Sequence, residues 1–432
     1  MKTNRSAPLS GRLGLLAVAT TIAMLAWAVH AAADAGSLDP KFGNHGRVVR
    51  DLGQDDEAIA SVTRGGNTVV VGDIGDYRQT KVIVSRFKPT GKLDRDFGRR
   101  GTRVIPVPGY AYAEDVAITP VGRIVVAFTA VTPHADSGFG LARLRPNGKL
   151  DSTFDNDGVQ VTGFGTTFNG AVARALAVQP DGNVVEVGYV NSESYSWDLA
   201  LARYTRDGQL DESFSAGGRQ ETDVAGTVAF AEAVSLDDDG RIIVTGSAKV
   251  SAHDRLMIAR YDAAGELDPT FAGDGVLTSD VARSGDDIVA LPDGGSIVVG
   301  GAADDFMVAR FGADGTPDPS FSGDGVQAID FSDGADKASS VVLAGRRIVV
   351  AGKAETPRGH ADFAIARLLG DGSLDSSFAQ DGRRTPGISR RDDAALDVGI
   401  DGKGRVVAAG FATTPKGTAD HTDTALVRLL RR

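Results

Sequence analysis

Arginine and aspartate recur at a fixed separation, and their charges make them the first candidates for chemistry. Seven arginines lie in similar apolar segments such as LALARY, at Arg86, Arg143, Arg203, Arg260, Arg310, Arg367 and Arg428. The first six each precede an aspartate by eight residues, at Asp94, Asp151, Asp211, Asp268, Asp318 and Asp375. This constant spacing predicts a bidentate ion pair across one tight turn. The alternative is a ring of seven ligand-binding arginines.

The last arginine of the series has no aspartate after it. Arg428 lies close to the end of the sequence, whereas Asp39 precedes the whole series. If the repeats close into a ring, these two residues pair. The segment GRVVRDL, residues 46–52, then becomes the outer strand of the last unit. The pair Asp39–Arg428 is therefore a prediction of ring closure.

Acidic residues lie just before or within the short strand of several repeats. The candidates are Asp56, Asp115, Asp287 and Asp393. In a ring, such carboxylates would surround a central channel, and their hard oxygens suit Ca²⁺. The alternative is solvated turn residues, and Arg174 and Lys337 interrupt the acidic series. No cofactor is expected, and Ca²⁺ is the candidate ion.

Histidines and aromatic residues mark the segments of variable length. The candidate ligand-binding residues are Tyr77, His134, Tyr189, Tyr195, Trp197, His253, His360 and His421. Three of these histidines each lie seven residues before a series arginine, so they occupy equivalent positions in separate repeats. This separation argues against one shared metal ion. The alternative is drift in surface loops.

Linear catalytic motifs are absent from the sequence. It contains no Gly-x-Ser-x-Gly, no His-Glu-x-x-His and no P-loop. It has no cysteine, which excludes thiolate chemistry and disulfides. We therefore expect a binding scaffold for a protein or carbohydrate ligand. A channel-centred, metal-dependent hydrolase or lactonase-like enzyme is the alternative, because channel carboxylates leave no linear motif.

Seven repeats must position these residues. The element Leu/Pro-Asp-x-x-Phe recurs with its phenylalanine at Phe42, Phe97, Phe154, Phe214, Phe271, Phe321 and Phe378. Each repeat contains a short strand, a turn such as PDG, an apolar run such as RIVVAF, the arginine strand, and a strand after Phe-x-x-x-Gly. This pattern predicts an all-β, seven-bladed β-propeller with four-stranded blades. An open β-solenoid is the alternative.

The repeats resemble the delta-60 repeat family of bacterial extracellular proteins. The matching segments are LDPTFAGDGV (267–276), QPDGNVVEVG (179–188) and DFAIARLLGDGSLDSSF (362–378). The resemblance covers residues 37–430, with departures at Pro317, at AGR (344–346) and at IDGKGR (400–405). It implies a propeller-like β fold and export, and it implies no established activity.

The first 33 residues are typical of a secretory signal peptide. A positive leader precedes an apolar run and the small residues AVHAAADAG, with cleavage expected after Ala33; an uncleaved anchor is the alternative. The propeller domain is then residues 34–432, exported to the periplasm or beyond and expected to be a monomer. The net charge of −11 argues against nucleic-acid binding. No membrane span is expected after cleavage.

Overall fold

Seven four-stranded antiparallel sheets make up the part of the chain that the structure describes. The structure is a computed structural model, and it describes residues 34–52, 55–75, 79–132, 137–164, 170–191, 196–302, 304–332, 334–416 and 419–431. The predicted signal peptide, residues 1–33, lies outside the described residues. Within those residues no helix has the length and apolar character needed to cross a membrane.

Each sheet is one blade, and its strands follow one another from the channel outward. The inner strands are β2 (Ala60–Arg64), β6 (Tyr110–Ile118), β10 (Ala171–Val178), β14 (Ala229–Leu236), β18 (Asp287–Ala290), β22 (Asp336–Ala344) and β26 (Asp393–Ile400). The second strands are β3 (Asn67–Ile74), β7 (Ile124–Val131), β11 (Val184–Asn191), β15 (Ile242–Val250), β19 (Ser296–Ala302), β23 (Arg347–Glu355) and β27 (Val406–Lys416).

The arginine strands and the outer strands complete the blades. The third strands are β4 (Lys81–Phe87), β8 (Ser137–Leu144), β12 (Trp197–Tyr204), β16 (His253–Tyr261), β20 (Asp305–Phe311), β24 (Ala361–Leu368) and β28 (Ala419–Leu429). The outer strands are β1 (Arg47–Arg50), β5 (Thr102–Val104), β9 (Val159–Thr162), β13 (Arg219–Thr222), β17 (Val276–Ser279), β21 (Val326–Ile329) and β25 (Arg383–Arg384). Blades 1 to 6 begin at β2, β6, β10, β14, β18 and β22, and blade 7 is β26, β27, β28 and β1.

The second strands carry the core because each blade packs against both of its neighbours. All eight residues of β7 are buried. A strand covered on both faces must be apolar along its whole length, which is why these segments show no alternation. The inner strands contact one another in sequence around the axis, and β2 also contacts β26. The predicted seven-bladed propeller is confirmed.

The ring closes through the N-terminal strand, as the sequence predicts. Strand β1 pairs antiparallel with β28, and Arg47 lies opposite Val427. The Asp39 amide donates to the Arg428 carbonyl at 2.9 Å, and the Gly36 amide donates to the Leu430 carbonyl at 3.0 Å. This pairing covers an edge of β28 that would otherwise be exposed.

Candidate functional site

The arginine–aspartate pairs are present in all seven blades. The Arg428 Nε and Nη2 atoms lie 3.0 and 2.9 Å from Asp39 Oδ2, and their side chains are 3% and 2% exposed. In the other six pairs, Nε lies 2.8–3.1 Å from the aspartate Oδ2. The Asp39 pair therefore joins two segments at opposite ends of the sequence.

The predicted bidentate geometry is wrong, because each guanidinium contacts one carboxylate oxygen only. Asp39 Oδ2 receives both Arg428 nitrogens, and its Oδ1 accepts the Lys41 amide at 2.9 Å. Asp268 Oδ1 likewise accepts the amide and the hydroxyl of Thr270, at 3.0 and 2.6 Å. The second oxygen is thus used to hold the turn that leads to the phenylalanine.

Six of the seven arginines also donate a hydrogen bond to a backbone carbonyl of the next blade. Arg203 Nη1 donates to the Ala263 carbonyl at 2.5 Å, and Arg428 Nη1 donates to the Pro89 carbonyl at 2.6 Å. Six of the guanidinium groups stack on the phenylalanine of their own blade at 4.3–4.9 Å from the ring centroid. Such a ring–cation contact is stabilising where water is excluded. Because the guanidinium groups are already bonded within the protein, a structural role is favoured over a ring of ligand-binding arginines.

Irregularities in the inner strands place charged side chains in the channel. The register of β6, β10 and β14 shifts around Glu114, Arg174 and Glu232, so each of these residues occupies a bulge. Arg174 Nη1 lies 3.4 Å from Glu114 Oε2, and its Nη2 lies 2.5 Å from Glu232 Oε2. One arginine of blade 3 therefore bridges acids of blades 2 and 4. Bulges of this kind re-aim side chains near functional sites.

Raised pKa values are found for Glu114, which contacts this arginine, and for Asp73, whose charge acts on Glu114. Burial raises the pKa of Glu114 to about 8, although Arg174 opposes the shift. Burial also raises the pKa of Asp73 to about 7, and the charge of Glu57 adds to it. In blade 6, Lys337 Nζ pairs with Asp286 Oδ2 of blade 5 at 2.9 Å. The channel mouth therefore carries more acidic than basic groups among the residues that the structure describes.

Three deeper aspartates fasten one inner strand to the next. Asp115 Oδ2 accepts the Leu176 amide at 2.9 Å, and Asp287 Oδ2 accepts the Val341 amide at 2.8 Å. Asp397 Oδ2 accepts the Ser61 amide at 2.7 Å. An inner strand is a sheet edge, so these amides have no ladder partner in their own blade. Burial raises the pKa of Asp115 to about 6 and that of Asp287 to about 7.

An aromatic cluster lies beside the charged groups. The rings of Tyr189 and Trp197 meet edge to face with centroids 5.3 Å apart, and Phe230 lies 4.8 Å from Tyr189 and 6.2 Å from Trp197. All three side chains are half-buried. Burial raises the pKa of the Tyr189 hydroxyl, the positive charge of Arg174 lowers it, and the negative charge of Glu232 raises it. The cluster offers apolar ring surface next to hydrogen-bonding groups, as ligand sites commonly do.

A separate cavity lies away from this cluster. Its volume is about 690 Å³, and it opens between blades 6 and 7 near Arg347, Arg367 and Arg431, at the end of the ring that carries the tight turns. On the variable-loop side, a cavity of about 350 Å³ adjoins Asp286 and Lys337. We place the candidate site on the variable-loop side, because the aromatic cluster and the carboxyl groups with raised pKa values, Glu114 and Asp73, are there.

Of the remaining predicted residues, the three histidines that the structure describes lie in three different blades. Tyr77, His134 and Tyr195 lie outside the described residues. His253 is exposed at the start of β16. His360 Nδ1 lies 3.5 Å from Asp362, and His421 Nδ1 lies 2.9 Å from Asp55.

The four predicted calcium ligands occupy different places. Asp115 and Asp287 fasten inner strands, as described above. Asp393 Oδ2 accepts the Ile388 and Ser389 amides at 2.8 and 2.7 Å. Asp56 instead lies with Asp51 and Asp423. Among the described residues, the four do not form one set within metal-ligand distance of one another.

Several residues of this region escaped the sequence analysis. Phe230 belongs to an apolar strand segment, so its role beside Tyr189 had no sequence signal. Glu186 is fully buried within the apolar segment NVVEVG of β11. A single carboxyl in a strand that is otherwise apolar was the available signal for that residue.

Comparisons with known proteins support the fold. Residues 122–154, 179–214, 238–271, 293–321 and 346–378 match the family described as "Domain of unknown function (DUF5122) beta-propeller". None of the curated proteins is significantly similar to the chain in sequence. The matches support a β-propeller repeat family, and the finer delta-60 name stays a prediction.

Two solved structures illustrate the shared architecture. The polysaccharide lyase Uly1 is 13% identical with a TM-score of 0.53, and the match covers 87% of this chain and 90% of the lyase. The RRP9 WD40 repeats are 11% identical with a TM-score of 0.52, covering 89% of this chain and 98% of theirs. At these identities the likeness concerns the fold alone.

Proposed function

We propose that this chain is an exported β-propeller of the delta-60 type that binds a carbohydrate at the variable-loop end of its channel. The observation that carries the proposal is the half-buried cluster of Tyr189, Trp197 and Phe230 beside Arg174 and Glu232. Sugar C–H faces pack on aromatic rings, and sugar hydroxyls exchange hydrogen bonds with charged side chains. Function on a rigid scaffold also tends to lie in variable loops.

The charges of the site favour a neutral sugar over an acidic one. Arg174 is already engaged by two glutamates, and Lys337 is engaged by Asp286. An anionic polymer such as a uronate would therefore find both of these cations already paired with acidic groups of the protein. The ligand class is therefore a neutral glycan, and monomeric binding is expected.

Replacing Trp197 with alanine should weaken glycan binding by at least about tenfold, which corresponds to about 1.4 kcal/mol. The sequence has two tryptophans, Trp27 and Trp197. In a chain that begins at residue 34, Trp197 is the only tryptophan and its fluorescence reports binding directly. Binding is measured by titration against a panel of neutral and acidic polysaccharides, with calorimetry for the variants that lack the indole.

Trp197→Phe is the matched variant, because it keeps a ring in the cluster and should retain most of the affinity. Equal loss in the alanine and phenylalanine variants would contradict stacking. Saturable binding of acidic polysaccharides alone would contradict the charge argument. A chain that is well folded and binds no glycan of the panel would overturn the proposal.

Hydrolysis in the channel is the second candidate function. The observation that favours it is the pair of carboxyls with pKa values near neutrality, about 8 for Glu114 and about 7 for Asp73. Groups tuned in this way suit acid–base catalysis, with or without a bound metal ion.

If the channel is catalytic, Glu114→Gln should abolish turnover of the susceptible substrate, because the amide cannot transfer the proton. The measurement is a screen of glycosides, esters and lactones across pH 5–9, with and without added Ca²⁺ or Zn²⁺. The control is Glu266→Gln, since Glu266 is an exposed turn residue. Turnover that is unchanged in the Glu114 variant would remove this residue from the mechanism.

A further inference from the structure

Three aspartates meet where blade 7 joins blade 1, outside the charged cluster of the channel. Asp51 directly follows the outer strand β1, Asp423 lies on β28, and Asp56 precedes the inner strand β2. Each offers a carboxylate oxygen within 4.8 Å of the other two. Asp56 is 1% exposed and Asp423 is 5% exposed, so two of the three carboxylates are buried.

One oxygen of this cluster is buried without a hydrogen-bond partner. Asp423 Oδ2 accepts the Thr414 hydroxyl at 2.5 Å, whereas Asp423 Oδ1 has no partner among the described residues. Leaving a buried carboxylate oxygen unsatisfied is costly, so it points to a group that is bound in the functional protein.

The neighbouring Asp56 is held rigidly. Its Oδ2 accepts the Leu52 amide at 2.8 Å, and its Oδ1 accepts the Thr424 amide at 2.9 Å. Burial raises the pKa of Asp56, and the charge of Asp423 raises it further. Each carboxylate oxygen has a second lone pair, so these bonds orient Asp56 without exhausting it.

The equivalent positions at two other blade junctions differ in whether a basic residue of the chain lies next to the aspartates. Between blades 4 and 5 the position of Asp423 is taken by Arg255, whose Nε lies 2.8 Å from Asp280 Oδ1, and Asp280 is the equivalent of Asp51. There the chain itself supplies a cation at this corner. Between blades 5 and 6 the three positions are again aspartates, at Asp305, Asp330 and Asp336.

We propose that Asp51, Asp56 and Asp423 bind one Ca²⁺ ion at the junction of blades 7 and 1. Carboxylate oxygens are hard ligands, and Ca²⁺ accepts irregular sets of them, with water completing the shell. Mg²⁺ demands a more regular octahedron, and Zn²⁺ prefers nitrogen and sulfur. Because the ligands come from both ends of the sequence, the ion would stabilise the closed ring. The inference is independent of the proposed carbohydrate binding.

The test compares the full chain with its Asp423→Asn variant in chelator-treated buffer. Calcium bound per chain is counted by equilibrium dialysis, and Tm is measured in chelator and in 1 mM Ca²⁺. In the parent chain, Ca²⁺ should raise Tm by about several degrees, since a ligand that binds the folded state stabilises it. The variant should bind one Ca²⁺ fewer per chain and should lose that part of the rise.

The direction of the Tm change in chelator distinguishes a Ca²⁺-binding role of Asp423 from a purely structural one. Without the ion, Asp423→Asn removes the repulsion between Asp423 and Asp56, so its Tm should equal or exceed that of the parent. The matched control is Asp280→Asn, at the junction where Arg255 takes the third position, and it should bind as much Ca²⁺ as the parent. Equal calcium counts in the parent and the Asp423 variant would overturn the proposal, as would the same Tm rise with Mg²⁺ alone.

Discussion

Replacing Asp39 with alanine is expected to lower the free energy of unfolding by about 3–5 kcal/mol, the usual loss when one partner of a buried ion pair is removed. Asp39 accepts from Arg428 at 2.9 Å and from Arg405 at 2.7 Å, and its side chain is 2% exposed. Without Asp39, the buried Arg428 loses its carboxylate and lies near a second positive charge, Arg405, whose remaining carboxylate is Asp401. Urea unfolding followed by circular dichroism measures the loss.

The matched control is Asp318→Ala, which removes the same aspartate from blade 5. Its partner Arg310 is 21% exposed and keeps a second carboxylate, Asp293, at 2.6 Å. A half-buried pair whose arginine keeps a second carboxylate contributes little, so the expected loss is about 1 kcal/mol or less. Similar losses in both variants would mean that the Asp39 pair has no special part in closing the ring.

Replacing Glu186 with glutamine is expected to flatten the dependence of stability on pH. Glu186 is fully buried, and its carboxyl group lies beside the buried hydroxyl of Tyr204. Burial raises its pKa well above the ordinary value of 4.5, and the charges of Glu114 and Asp115 add to the shift. The folded protein therefore keeps Glu186 protonated to a higher pH than the unfolded chain does.

The direction of the pH dependence follows from whether the folded or the unfolded chain keeps the proton on Glu186. Below pH 4.5 both folded and unfolded chains are protonated at Glu186, so the glutamine variant should match the parent. Above that pH only the unfolded chain ionises, and stability falls by about 1.4 kcal/mol per pH unit up to the folded pKa. The variant escapes this loss, so it should be the more stable protein at pH 8. Unfolding at pH 4, 6 and 8 measures both slopes, and parallel slopes would show that Glu186 is charged in the fold.

The ring could be predicted from the sequence because its contacts repeat at constant offsets. The spacing from Arg203 to Asp211 is the same in six blades, and one missing partner pointed directly to Asp39 and Arg428. The glycines of the Phe-x-x-x-Gly turn repeat for a steric reason. Gly46 has a φ of 93°, and a Cβ there would lie 2.7 Å from Leu38 Cβ, so no other residue fits well at this position.

The candidate site was harder to predict because it depends on contacts between blades. Arg174 looked like an interruption of an acidic series, yet it lies between Glu114 and Glu232, some 60 residues away on either side. Asp423 gave no signal alone, because its neighbours Asp51 and Asp56 are distant in sequence. Such groupings depend on which strands face each other, and one repeat viewed alone does not contain that information.

The geometry of ring closure also determines how the molecule would respond to mechanical load. The start of β1 lies beside the end of β28, with Arg47 opposite Val427, and the Leu430 amide bonds the Ser37 carbonyl at 2.8 Å. A force that draws the two chain termini apart would therefore load these hydrogen bonds one at a time, in an unzipping direction. The Asp39–Arg428 ion pair lies close to the first of these hydrogen bonds, so it would resist the start of the separation. Blade 7 should therefore open at a lower force than the other six blades.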